Sequence, residues 1–228
     1  MPAPSIRARV RAEMIAEIKA VARRHLATDG ANLSLRAVAR EMGMVSSAVY
    51  RYFPSRDELL TVLIVEAYDA LGTVVEAADA DRDPTDLRGR WTACCRAARR
   101  WALEHPAEYA LLYGSPVPGY SAPTDTVGPA QRPPATLVGI LHDGLASGRL
   151  TAPPDELPEP LRTDLAEVGA ALRADVPEAL LARGMAGWTQ LFGLISFEVF
   201  GRINNALPHR DAYFDHQVTL MADLIGLP

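Results

Sequence analysis

The chain has 228 residues, 49% of them hydrophobic, and 23 Lys+Arg against 28 Asp+Glu leave a formal charge of −5. That length easily buries a core, while no apolar run approaches the roughly 18 to 20 residues of a membrane span and the Arg-rich start does not resemble a secretory leader, so a cytoplasmic protein with no membrane partner is expected. The charge is uneven: residues 1–60 carry 10 Lys+Arg against 6 Asp+Glu, the remainder 13 against 22, and a basic N-terminal quarter suits a local contact with phosphates. The two cysteines, Cys94 and Cys95, are adjacent, which fits neither a disulfide framework nor a zinc spacing; ordinary thiols are expected.

Apolar residues recur at helical spacing from Ile6 to Leu26, and Asp29-Gly30 should end that helix. Ser34 is a good N-cap for a short helix through Leu35, Val38, Ala39 and Met42, which Gly43 should close. A third helix is expected from about Ser46 to Phe53, stopped by Pro54. Ser55-Arg56-Asp57-Glu58 then reads as a capping box opening a long helix through Leu71 toward Ala80. After a charged turn at 81–86 comes an Arg-rich helix with Trp91 and Trp101, broken at His105-Pro106, and then a brief helical turn over 106–113. The composition of 114–134, rich in Pro, Gly, Ser and Thr, predicts a long loop: a lid, a rim or a mobile segment. Further helices are expected at 137–145, 161–174, 177 to about 207, and 212–227, with a Pro-rich connector at 151–160. No strand pattern appears, so the fold should be all-α: a three-helix domain at 1–55 and a larger helical domain at 56–228.

Residues 34–52 have the layout of a helix-turn-helix, with small Ala37 and Ala39 allowing close helix crossing. In its second helix Ala48, Val49 and Phe53 can face inward while Ser46, Ser47, Tyr50 and Arg51 face outward, where a major groove would meet them. Tyr50, Tyr52 and Arg56 are suited to phosphate oxygens. Spacing alone is shared with helix pairs that merely pack. The full run from Leu33 to Leu60, LSLRAVAREMGMVSSAVYRYFPSRDELL, closely resembles the N-terminal signature of the TetR (tetracycline-repressor-like) family, over roughly residues 10 to 65. The resemblance implies that Ser46, Ser47, Tyr50 and Arg51 lie on the recognition helix, that Tyr52 meets the DNA backbone, and that Ser34 and Arg36 sit beside the groove; at Arg56 many relatives carry lysine.

The resemblance also implies that the rest of the chain binds a small-molecule effector and forms a homodimer on a palindromic double-stranded operator, with repression as the family habit. The segment 187–202 with 105–109 looks like a C-terminal subclass whose helix carries a Trp-His-Gly run, although Phe192 stands where that subclass has histidine. Candidate pocket walls are Trp91, Trp101, Tyr109, Leu112, Tyr113, Leu141, Trp188, Phe192 and Ile195, since aromatic and aliphatic side chains bury most of an apolar ligand; each could equally be plain core. A mainly hydrophobic, uncharged effector is expected. Glu198 and Arg202, four apart, could pair with each other. Gly184, Gly187, Gly193 and Gly201 would allow close helix approach, within or between subunits. No catalytic signature is present, and His209 and His216, seven apart on one face, read as surface or dimer-interface histidines rather than a metal site, so no enzyme, cofactor or metal is expected.

Overall fold

In the computed structural model residues 5–29 and 33–228 are described, and every regular element among them is helical. The expected stop at Gly30 lies outside the described residues. The chain folds into two compact units: one joins the described residues up to Ala67 to His105–Thr126, the other joins Tyr68–Glu104 to Val127–Pro228. The division 1–55 and 56–228 assigns tasks along the sequence, whereas packing groups 56–67 and 105–126 with the first helices.

The first unit contains α1 (Ile6–Asp29), α2 (Leu35–Glu41), α3 (Ser46–Val49), the start of α4 (Arg56–Ala80) and α6 (Pro106–Tyr113). Ile18, Ala22, Val38, Ala39, Val49, Leu59 and Leu60 are fully enclosed. Each was at an apolar position of its helix, and together they bury one shared stripe. Helix α2 ends as its sequence demands. Gly43 adopts φ +67°, Gly43 N–H donates to Arg40 O at 3.1 Å and Met44 N–H to Ala39 O at 2.8 Å, the paired bonds of a Schellman turn that only a residue tolerant of the left-handed region closes without strain. Helix α4 begins with Ser55 Oγ accepting the Glu58 N–H at 3.1 Å, half of the expected capping box.

Helix α3 is shorter than the expected 46–53. Beyond Val49 the N–H groups of Arg51 and Tyr52 donate to Ala48 O and Val49 O, three residues back, because Pro54 disfavours helical geometry at Phe53 and tightens the last turn.

The second unit holds the rest of α4, α5 (Leu87–Glu104), α7 (Val127–Ala146), α8 (Glu159–Ala171), α9 (Glu178–Val199) and α10 (Arg210–Ile225). Its centre is built from Trp91, Cys95, Ile140, Leu180, Leu191, Ile195, Phe214 and Met221. Arg90 is buried and tied to both oxygens of Asp79 at 2.7 and 2.9 Å and to Asp143 at 2.9 Å, so its charge is held by carboxylates from α4 and α7.

The expectation of a loop over 114–134 holds for 114–123, which form no regular element, and is overturned from Thr124 onward. A 3-10 turn at Thr124–Thr126 leads into α7, whose first two turns contain Pro129, Pro133 and Pro134. A proline in the first turn sacrifices an N–H that has no helical partner anyway. The two later prolines do remove helical bonds, but the side chain between them and the helix start compensates: Arg132 donates to both Glu76 oxygens at 2.9 and 2.7 Å and to Asp69 Oδ1 at 2.8 Å. The earlier part of the segment is anchored too, since Val117 and Tyr120 pack on the first unit's core and Tyr120 Oη lies 2.9 Å from Thr61 Oγ1.

Helix α9 was expected to run to about Leu207 but ends at Val199. Gly201, at φ +73°, closes it while Arg202 N–H donates to Phe197 O at 2.8 Å. This ending also corrects the expected Glu198–Arg202 pair: Arg202 has left the helical register, and Glu198 instead takes both N–H groups of Arg99.

Candidate nucleic-acid interface and ligand cavity

The first unit presents the expected polar side chains on one short stretch of chain. Ser34 occupies the N-cap of α2 with extended backbone, yet its hydroxyl makes no capping bond. Arg36, Ser47, Tyr50 and Arg51 are exposed and Ser46 is half-buried. Val49 and Phe53 point into the core, as the helical spacing requires. Arg36, Arg40 and Arg51 form no ion pair among the described residues, so their charges are available to an external anion.

Tyr52 and Arg56 are more constrained. The Tyr52 ring is half-buried against the core and the Arg11 guanidinium lies over it, 5.2 Å from its centroid, a cation–π contact that fixes the ring plane. Arg56 Nε donates to Leu33 O at 3.0 Å and its Nη1 to Pro118 O at 3.3 Å. Its guanidinium thus braces the chain just ahead of α2, which sequence spacing gave no reason to expect.

Other charges of this unit are spent internally. Lys19 and Arg23 of α1 both pair with Glu66 of α4, and Arg24 donates to Glu41 at 2.6 Å, which together with His25 holds the Glu41 carboxyl below the usual carboxylate range. These bonds tie α1 to its neighbours and leave the basic side chains of α2 and the 50–52 turn facing outward.

The second unit contains a cavity of about 280 Å³. Trp91 of α5, Leu137, Val138 and Leu141 of α7, Val168 and Ala171 of α8, and Leu181, Met185 and Trp188 of α9 line it, together with Gln131, Pro134, Leu172 and Gly184. No charged side chain is among them. Gln131 supplies an amide, and the Trp91 indole N–H is buried without an acceptor among the described residues, a state that costs about 1–3 kcal/mol while it lasts.

Of the nine expected pocket residues the cavity gathers three: Trp91, Leu141 and Trp188. Phe192 packs against the lining residue Trp188, ring centroids 4.2 Å apart and planes tilted by 43°. Trp101 and Ile195 are buried in the second unit away from the lining, and Tyr109 is buried in the first unit, where its ring meets Tyr113 at 5.1 Å and Leu112 accompanies them on α6. Gln131 and Pro134 escaped notice because a loop is expected there; Leu137, Val138, Val168 and Ala171 lie on helices that are expected but were not singled out as cavity wall. The apolar spacing Pro134, Leu137, Val138, Leu141 was the available signal. His209 is the N-cap residue of α10, and the described residues contain no group of side chains able to hold a metal ion. No described helix is long and apolar enough to cross a membrane.

Comparison with known proteins agrees with this geometry. Residues 18–63 match the family described as "Bacterial regulatory proteins, tetR family", and residues 91–221 match "Tetracyclin repressor-like, C-terminal domain". An HTH-type transcriptional regulator of Mycobacterium tuberculosis, Rv1816, is 39% identical over 219 residues, covering 95% of this chain and 94% of its own. The regulatory protein SCO4313 has a crystal structure that aligns with a TM-score of 0.77 at 32% identity, over 97% of this chain and all of its own. PfmR from Thermus thermophilus, a TetR family transcriptional regulator, shares the fold at a TM-score of 0.58 and 20% identity, covering 91% of this chain and 96% of its own. With a helix-turn-helix at 34–52 in the first unit and these matches spanning most of its length, the chain belongs to the TetR family of bacterial transcriptional regulators.

Proposed function

We propose that this regulator is a repressor that binds a palindromic DNA operator as a homodimer in the cytoplasm and leaves it when a small, uncharged, mainly hydrophobic effector fills the second unit's cavity. The observation that carries the reading is the cavity itself: about 280 Å³ with no charged lining side chain, which disfavours an ionic ligand on desolvation grounds and leaves the Trp91 N–H and Gln131 to meet an acceptor on a neutral one. DNA contact falls to Ser34, Arg36, Ser46, Ser47, Tyr50 and Arg51, with Tyr52 and Arg56 reaching phosphates once the DNA is present. The stretch 187–202 resembles the Trp-His-Gly subclass, with Phe192 in place of its histidine.

Pairing of two copies is supported by the outer faces of α9 and α10. Phe197 and Phe200 are exposed on or at the end of α9, and Leu220 and Leu224 on α10, while Gly193, four residues before Phe197, has open space where a side chain would stand. Two such faces joined by a two-fold axis would form a four-helix bundle and place two recognition helices about 34–36 Å apart. By reciprocity, an effector that weakens operator binding must itself bind more weakly to the operator-bound protein.

The test is a fluorescence titration of the purified protein with duplex DNA from the region upstream of its own gene, repeated in the presence of neutral apolar compounds. Salt-sensitive binding relieved by such a compound is the expected result. DNA binding that no compound of this class alters, or relief only by charged compounds, would sink the effector half of the reading.

A further inference from the structure

Between Leu33 and Leu60 the large apolar side chains are buried or partly covered, with two exceptions among the described residues: Val45, 70% exposed, and Tyr50, 42% exposed. Both flank the segment that starts with α3. Val45 is the N-cap residue of that helix, with extended backbone at φ −71° and ψ 139° and no side-chain capping bond. That position favours Ser, Thr, Asp or Asn, whose oxygen can accept a free N–H of the first turn. Valine supplies no such bond, and at 70% exposure it gives nothing to the core either. The side chain therefore serves neither the helix nor the packing.

What it offers is an apolar surface beside Ser46, Ser47 and Tyr50, at the end of the recognition helix that comes nearest to base edges. The floor of the major groove has one apolar group, the 5-methyl of thymine. Resting on the DNA-reading role proposed above, we infer that Val45 packs against a thymine 5-methyl group and so selects thymine at one position of each operator half-site.

The experiment first selects preferred duplexes from a random-sequence library with the full-length protein, then replaces each thymine of the recovered half-site, one at a time, by deoxyuridine, which removes only the methyl. Affinities are read by fluorescence anisotropy for the wild type and for Val45→Ala, with thermal melts confirming that the variant folds. The expected result is one position at which deoxyuridine weakens wild-type binding about fourfold per half-site, the burial of roughly one methyl group, and at which Val45→Ala, already weakened to a similar degree, loses nothing more. Two results overturn the inference: no deoxyuridine-sensitive position, or a position to which Val45→Ala stays as sensitive as the wild type. A library that yields no preferred sequence removes the DNA-reading role itself, and this inference with it, and is recognisable because the unsubstituted duplex then fails too.

Discussion

Arg99 grips Glu198 at two points, Nε to Oε2 and Nη2 to Oε1, each at 2.7 Å, where α5 meets α9. Glu198 is almost wholly buried, and its remaining cation, Arg210, stands at 3.6 Å. Asp211 takes a further bond from Arg99 at 2.7 Å, and these carboxylates raise the Arg99 pKa, the Glu198 bond foremost. Arg99→Met would strand a buried carboxylate, so a loss of about 2–4 kcal/mol is expected in urea unfolding. The double variant with Glu198→Leu, which removes the stranded charge, should recover part of that loss. Equal destabilisation of single and double variants would show that packing by Arg99, rather than its charge, matters.

Arg51 and Arg36 differ in where they stand. Arg51 follows the recognition helix and Arg36 opens α2, and both are exposed. Arg51→Ala should weaken selected operator DNA by about 1–3 kcal/mol and blunt discrimination against base changes. Arg36→Ala should weaken all DNA sequences alike and reduce the slope of log affinity against log salt by about one. Anisotropy at several salt concentrations separates the two behaviours.

A bulky residue placed in the cavity should abolish ligand uptake while sparing DNA binding. Val138 lines the cavity and is half-buried, so Val138→Phe should weaken binding of the neutral fluorophore N-phenyl-1-naphthylamine at least about tenfold, the loss of roughly 1.4 kcal/mol. Unchanged uptake by the variant would place the fluorophore elsewhere.

Cys94 and Cys95 are both buried. Burial pushes the Cys94 thiol up to about 12 and the Cys95 thiol well above its ordinary value, so neither supplies thiolate at neutral pH. In the native protein both should resist iodoacetamide at pH 8 and react only in denaturant. Prompt native labelling would mean that α5 opens locally.

Acid sensitivity should trace in part to Glu76. The hydrogen bonds from Arg132 hold its carboxyl below the ordinary value of 4.5, so the folded form binds its proton less readily than the unfolded chain. The associated stability is present above about pH 4.5 and is lost as pH falls through the lower, folded value. Glu76→Gln should be less stable than wild type at pH 7 and converge on it toward pH 3, measured by thermal melts across that range; a constant difference would assign the effect to packing.

Local signals in the sequence were decisive where a single residue controls the chain's path. Gly43, Pro54, Ser55 and Pro106 each mark an element boundary near where it was expected, because the geometry they impose depends on few neighbours. The start of α7 was hidden for the opposite reason. Pro133 and Pro134 argue locally against a helix, and the argument is outweighed by Arg132 reaching Asp69 and Glu76, more than fifty residues away. The same long-range dependence scattered the candidate pocket: Trp91 and Trp188 converge, while Tyr109 and Tyr113, equally aromatic and equally plausible in sequence, belong to the other unit.

The core around Leu59 and Leu60 is completed by Leu111, Val117 and Tyr120, and Arg23 reaches Glu108 at 3.6 Å. A ribosome that has released only the first seventy residues has delivered the helix-turn-helix but not the chain that covers it. The helix-turn-helix acquires its full support only after residue 120 has emerged, by which time α5 is already outside. A nascent chain halted between residues 70 and 105 should therefore be more open to protease near Leu59 than one halted beyond 130, with the folding of the reading head timed by a stretch of sequence that lies well downstream of it.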